Sequence, residues 1–251
     1  MINKQLIVRR FSRVVESYNR EAVVQKQIAH RMSDMLNHYL PRPCHRVLEI
    51  GSGTGFLTRR LMETLHPDNL VLNDICQEMS TCFSDLLGSG RATFLAGDAE
   101  RLAFPQGQDL IVSCSALQWF VSPEQFFERC NALLARRGYF AFTTFGRDNL
   151  KEVTTVTGSG LHYRTLEELK EALQVHYEIV SASEEHIRLT FDTPLKVIYH
   201  LKHTGVTAVQ QQAWTKGDLQ AFCDKYARMF GTGGAVTLTY HPIYIIAKKL
   251  N

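Results

Sequence analysis

The stretch Arg46-Val47-Leu48-Glu49-Ile50-Gly51-Ser52-Gly53-Thr54-Gly55-Phe56-Leu57 constrains this chain more than any other. Val47 to Ile50 is an apolar run carrying one acid, which predicts a buried parallel strand, and the three alternate glycines after it let the chain reverse tightly into a helix. The spacing is G-x-G-x-G, and Phe56 stands where the dinucleotide fingerprint G-x-G-x-x-G places its last glycine. A bulky residue there spoils the open row of N–H groups that a pyrophosphate wants at a helix start. Glu49 would repel a diphosphate and suits a ligand with an ammonium or sulfonium group. A glycine turn also closes many ordinary strand-helix units, so the reading needs support elsewhere.

That support comes in register. Leu70-Val71-Leu72-Asn73-Asp74 reads as a second strand ending in an acid nineteen residues after Gly55, where nucleoside-binding doubly wound folds place a carboxylate for ribose hydroxyls. A third strand, Thr93 to Ala96, runs into Gly97-Asp98-Ala99-Glu100; Asp98 can accept from an adenine amino group, and the small Ala99 leaves room for the ring. A fourth, Asp109 to Cys114, opens into Ser115-Ala116-Leu117-Gln118-Trp119-Phe120, polar and aromatic together at the carboxyl end of a strand, where ligands sit in open α/β sheets.

Glu49 to Gly55, Asp74, Gly97 to Glu100 and the loop after the fourth strand together resemble the class I S-adenosylmethionine-dependent methyltransferases over residues 46–145. The resemblance implies an α/β Rossmann-like fold, with a seven-stranded, mostly parallel sheet whose last strand is antiparallel. It also implies S-adenosyl-L-methionine as cofactor, held by Glu49, Gly51, Gly53, Gly55, Asn73, Asp74, Asp98, Ala99 and Ser115.

The rest of the chain fits around that core. Apolar positions at helical spacing predict two helices over residues 3–39, with Tyr18 at the break, either facing ligand from a lid or capping core. Arg147 to Arg164 reads as a mobile loop or short helix over the site mouth, and Thr165-Leu166-Glu167-Glu168 as a capping box. Tyr177 to Val180 and His186 to Phe191 are expected to form a sixth strand and its extension, and Thr237 to Ala247 the last strand. Residues 192–235 carry two helices in place of the alternation. The expected division is thus a helical lid (1–45), a core (46–191 and 236–251) and a helical substrate cover (192–235).

No apolar stretch reaches the ~20 residues needed to cross a bilayer, and the start lacks a signal peptide's apolar segment, so a cytoplasmic protein is expected. Six scattered cysteines without a C-x-x-C pair predict small buried hydrophobes and no metal site. Residues 1–46 carry nine Lys/Arg against three Asp/Glu and residues 191–251 seven against three, so the formal net charge of +3 hides basic flanks around an acidic core. Such flanks are a solvated surface or a docking face for an acidic partner; without interleaved aromatics or a compact basic tract, nucleic acid is not expected.

Across nearly its whole length, at Asn3 to Gln5, Phe11 to Arg13, Tyr18, Gln118-Trp119, Phe142 to Thr144, Leu201 to Gly205 and Leu238 to His241, the sequence is similar to the malonyl-acyl-carrier-protein O-methyltransferases of biotin synthesis. The resemblance implies methyl esterification of a malonyl carboxylate, with acyl-carrier protein as partner on the basic flanks. A carboxylate is already ionised at neutral pH, so no general base is required. Substrate positioning is expected from Tyr18, Gln118 and Trp119, with Arg147, or else Lys202, beside the carboxylate. A methyltransferase for another small acid, and a non-catalytic nucleoside-binding protein, are the rival readings.

Overall fold

The structure, a computed structural model, describes residues 2–12, 15–205 and 214–250. Seven apolar runs build its main sheet: β1 (Arg46–Ile50), β2 (Asn69–Asp74), β3 (Ala92–Ala96), β4 (Gln108–Cys114), β5 (Leu134–Phe145), β6 (Tyr177–Glu184) and β10 (Pro242–Lys249). Their order is β3-β2-β1-β4-β5-β10-β6, with β10 antiparallel to both of its neighbours. The chain passes from β1 to β2 on one side and returns to β4 on the other, so a crevice opens beyond the carboxyl end of β1.

Successive side chains of a strand point to opposite faces, and here both faces are covered. Val47, Leu70, Leu110 and Val112 meet helices α3 (Val23–Tyr39) and α4 (Phe56–Thr64) through Ile28 and Leu61, while Leu48, Ile50, Ile111 and Phe140 meet α6 (Pro123–Leu133) and α8 (Leu166–Leu173) through Phe126 and Leu173. That is why the strands read as continuous apolar runs. Each such side chain taken fully from water contributes about 1.5–3 kcal/mol.

The structure corrects several expected elements. The leader forms three helices, α1 (Lys4–Phe11), α2 (Val15–Glu21) and α3, because the chain bends at Ala22 (φ −81°, ψ 51°). Between β2 and β3 lie a 3-10 segment, Gln77–Phe83, and the short α5 (Ser84–Gly88). The insertion after β5 contains α7 (Lys151–Thr157), stopped by Gly158 at φ +69°. Ile187–Phe191 (β7) does not extend β6; it joins a second, three-stranded sheet with β8 (Gly231–Thr232) and β9 (Ala235–Tyr240). The single last strand is therefore split, and the chain changes sheet at His241-Pro242, where Pro242 has no N–H with which to continue the β7–β9 ladder. Between these sheets' strands lie α9 (Pro194–His203), which packs against α2, and α10 (Lys216–Phe230). All six cysteines are free, and among the described residues no helix is long and apolar enough to cross a membrane.

Candidate active site

Beyond β1 the glycine loop turns with Gly51 at φ +70°, Gly53 at +53° and Gly55 at +94°, a backbone that L side chains rarely adopt. It is bolted to the next strand: the Ser52 N–H donates to the Asn73 carbonyl at 2.9 Å and the Gly53 N–H to Asp74 Oδ2 at 2.9 Å. Asp74 Oδ1 accepts the Cys76 N–H at 2.9 Å. Burial pushes the Asp74 carboxyl up in pKa, and the N–H groups of Cys76, Gly53 and Ile75 oppose that shift. Asn73, fully buried, donates its amide to the carbonyls of Leu95 (2.8 Å) and Gly97 (3.0 Å), which fixes where β3 ends and Asp98 begins.

These residues open onto a cleft of about 840 Å³, part of it open to solvent. Gly51, Gly53, Asn73, Asp74, Asp98, Ala99 and Ser115 line it, together with Tyr18 and Trp119. Ser115 is held at φ +56° while its N–H donates to Thr143 Oγ1 at 2.8 Å, a strained backbone of the kind that collects at functional sites. Thr54 also faces the cleft, with a buried Oγ1 that has no hydrogen-bond partner, and a Cβ added at Gly53 would meet nothing within 4 Å. Buried polar atoms are rarely left unpaired, so the loop is shaped for a polar guest.

The leader roofs the cleft. Lys4 on α1 donates to Asp98 at 2.6 Å and also pairs with Glu100, while Phe11 makes edge contacts with Trp119 (6.1 Å) and Tyr18 (6.2 Å). Tyr18 stacks on Phe56, ring centres 5.8 Å apart, and burial pushes its hydroxyl pKa well up, so it stays neutral. The residue that breaks the dinucleotide fingerprint thus serves as a platform for the lid.

Phe11, Tyr18, Ser115 and Trp119 also line a second, inner cavity of about 370 Å³. Gln118 belongs here, donating to the Ser115 carbonyl at 2.6 Å, and so do Gln25 of α3, Asn149, Tyr163 and Tyr240, none of which has a sequence pattern that marks it. Asn149 and Tyr163 sit in the insertion after β5, so position in that segment was their one available signal.

Two expected residues lie elsewhere. Arg147 is half-exposed and donates to Glu168 at 2.5 Å, outside both cavity linings, and Lys202 is exposed on α9. Gly55 and Glu49 support the cleft from behind: a Cβ at Gly55 would meet the Phe83 ring at 2.8 Å, and Glu49 accepts from Thr58 Oγ1 on α4 at 2.7 Å. Asp148, His186 and His241 bring metal-type donor atoms within 4.8 Å of one another, and His186 Nε2 lies 2.8 Å from Asp148.

Burial raises the Glu49 pKa to about 8, against the opposing Thr58 hydrogen bond. Its folded pKa exceeds the unfolded value, so its contribution is complete below about pH 4.5 and is lost as pH rises through 8, a loss on the order of 5 kcal/mol. Glu49→Gln, which keeps the acceptor for Thr58, is therefore expected to flatten this decline: thermal melts of the ligand-free protein should show a larger gain in Tm over wild type at pH 8.5 than at pH 5.

A family model described as a methyltransferase domain matches residues 48–142. The chain is 52% identical over 258 residues to the malonyl-[acyl-carrier protein] O-methyltransferase of Bacteroides thetaiotaomicron, covering 99% of both chains. It is 49% identical to a protein of the same name from Bacteroides fragilis, of which it covers 51%, so the chain spans about half the length of that relative. Among solved structures, the N-methyltransferase NodS of Bradyrhizobium japonicum, in complex with S-adenosyl-L-homocysteine, superposes with a TM-score of 0.53 at 15% identity, over 88% of this chain and 87% of that one.

Proposed function

This chain belongs to the malonyl-[acyl-carrier protein] O-methyltransferase family, and from that premise we propose that it methylates the free carboxylate of a malonyl group carried on acyl-carrier protein. The observation that carries the reading is the pair of adjoining cavities sharing Phe11, Tyr18, Ser115 and Trp119: one has the glycine loop and Asp74 suited to a nucleoside, and the other is lined by amides and hydroxyls that suit a short polar acyl group. When bound in the outer cleft, S-adenosylmethionine supplies a methyl group already activated on sulfur, with the C–S bonding pair retained by sulfur as the ester bond forms.

The protein's own residues bind, orient and dry the site. Asp74 keeps lone pairs for ribose hydroxyls beyond those used by Gly53 and Cys76, Asp98 and Ala99 offer the base an acceptor and room, and Glu49 places an acid behind the loop. Tyr18 and Trp119 wall the junction of the two cavities and keep water out, which favours union of opposite charges over their hydration. A malonyl carboxylate is ionised at neutral pH, so no residue has to remove a proton. Holding the reacting atoms at about 3 Å supplies the rest.

The product ester hides the charge that distinguishes a malonyl group from an ordinary acyl chain, as the entry to the pimelate moiety of biotin requires, and such a role places the protein in the cytoplasm. Arg9, Arg10, Lys202, Lys216, Lys225 and Arg228 on the flanks would steer an acidic carrier, together with Arg13, which lies outside the described residues.

A methyl-transfer assay comparing malonyl carrier protein, malonyl-CoA, malonyl-pantetheine and free dicarboxylic acids tests the reading. The carrier-bound substrate should be turned over fastest, and turnover of free acids alone would overturn the reading. Raising salt from 50 to 300 mM is expected to raise KM about threefold to tenfold for the carrier form and little for malonyl-pantetheine, because only the former depends on long-range charge.

A further inference from the structure

The inner cavity sets neutral polar groups among aromatic rings, and among its described lining residues there is no lysine, arginine, aspartate or glutamate. Its polar side chains are the amides of Gln25, Gln118 and Asn149 and the hydroxyls of Tyr18, Ser115, Tyr163, Thr204 and Tyr240. The histidine behind Tyr240, His200 at 2.9 Å, is kept in its neutral form by burial.

Two of these groups are left waiting. Gln25, 94% buried, has an Oε1 with no partner, and so has Gln118. Asn149 is pinned on one side by the His241 N–H, which donates to its Oδ1 at 3.2 Å, and donates on the other to the Tyr163 hydroxyl at 2.9 Å. Tyr163 therefore spends its oxygen as an acceptor and keeps its own proton to give. Burial raises its pKa to about 12, so that proton is present throughout the working range.

On the reading that the acceptor is a malonyl thioester, we propose that this cavity is the acyl subsite and that the Tyr163 hydroxyl, set by Asn149, donates to the acceptor's carboxylate in place of a cation. A neutral donor orients the carboxylate and draws less electron density from the attacking oxygen than a guanidinium clamp would. Esterification also removes the acceptor's charge, so a buried lysine or arginine would be left facing a neutral product, whereas a tyrosine would not. The unpartnered oxygens of Gln25 and Gln118 then suit N–H donors on the amide-containing arm of the thioester.

The experiment compares wild type with Tyr163→Phe and Asn149→Ala, using malonyl-pantetheine and its methyl ester. For Tyr163→Phe, KM for malonyl-pantetheine is expected to rise about 10- to 100-fold, the loss of one hydrogen bond to a charged group. Calorimetric affinities for the methyl ester and for S-adenosylmethionine should stay within about twofold, because neither relies on that bond. Asn149→Ala, which keeps the ring but removes its anchor along with the acceptor of the His241 N–H, should move the same KM in the same direction. An unmoved KM, an equal loss for malonyl-pantetheine and its ester, or the same rise in Arg147→Ala would each overturn the inference. If the wild type fails to turn over malonyl-pantetheine or malonyl carrier protein, the underlying reading falls with it, whereas turnover with unmoved Tyr163→Phe constants removes the inference alone.

Discussion

Gly51→Ala should cost more than 100-fold in methyl transfer, about 3 kcal/mol or more, while leaving a folded protein. A Cβ at Gly51 would lie 2.4 Å from the Ala116 Cβ, which is fixed to backbone and cannot swing aside, and the φ of +70° adds about 1–2 kcal/mol of strain of its own. The relief available is to separate the glycine loop from the segment after β4, and Ser115 and Ala116 on that segment line the cleft. Gly53→Ala is the matched control: it carries comparable strain, but its Cβ meets nothing within 4 Å. Calorimetry with S-adenosylmethionine should show no measurable binding for Gly51→Ala and weakened binding for Gly53→Ala, and circular dichroism should show both folded. Tight binding by Gly51→Ala would mean that the loop is not the cradle.

Asp74→Asn is expected to weaken S-adenosylmethionine binding by about 100-fold, from two losses that act together. Each carboxylate oxygen accepts one backbone N–H, from Gly53 and from Cys76. An amide offers one oxygen only, and its NH₂ group would face a donor, which pushes the loop off β2. The second loss is the charged acceptor for ribose hydroxyls. Asp74→Ala would remove the acceptor without adding the donor clash, so the ratio of the two Kd values measures how much of Asp74's work is holding the loop. If both variants bind like wild type, Asp74 has no part in cofactor binding.

The lining of the outer cleft was legible because it is local. A strand, a glycine turn and a helix encode their geometry in a dozen consecutive residues, and Asp74 and Asp98 fall at the ends of the next strands in order. The inner cavity was legible only at Tyr18, Gln118 and Trp119, for the opposite reason: Gln25, Asn149, Tyr163 and Tyr240 come from distant segments that meet only in the folded protein. Arg147 looked available as a cation after β5, yet its partner was readable too. Glu168 is the last residue of the capping box, and besides accepting the Thr165 N–H at 2.8 Å it takes the Arg147 guanidinium. The last strand misled because Thr237 to Ala247 is β-forming throughout; only Pro242 within it signalled a break, and a proline at such a position is also compatible with the start of a strand.

The placement of β10 bears on how the molecule is made. β5 and β6 are not neighbours; each pairs with β10, whose residues 242–249 leave the ribosome after all the others in the sheet. Until then β5 presents a long apolar edge prone to sticking to other chains, and β6 has no partner in the sheet. Closing the sheet joins positions about a hundred residues apart, such as Phe142 and Ile245, a slow kind of contact to form. Closure of the sheet on this side therefore waits for β10, and β5 and β6 of the nascent chain depend on being shielded until that strand slides into the gap.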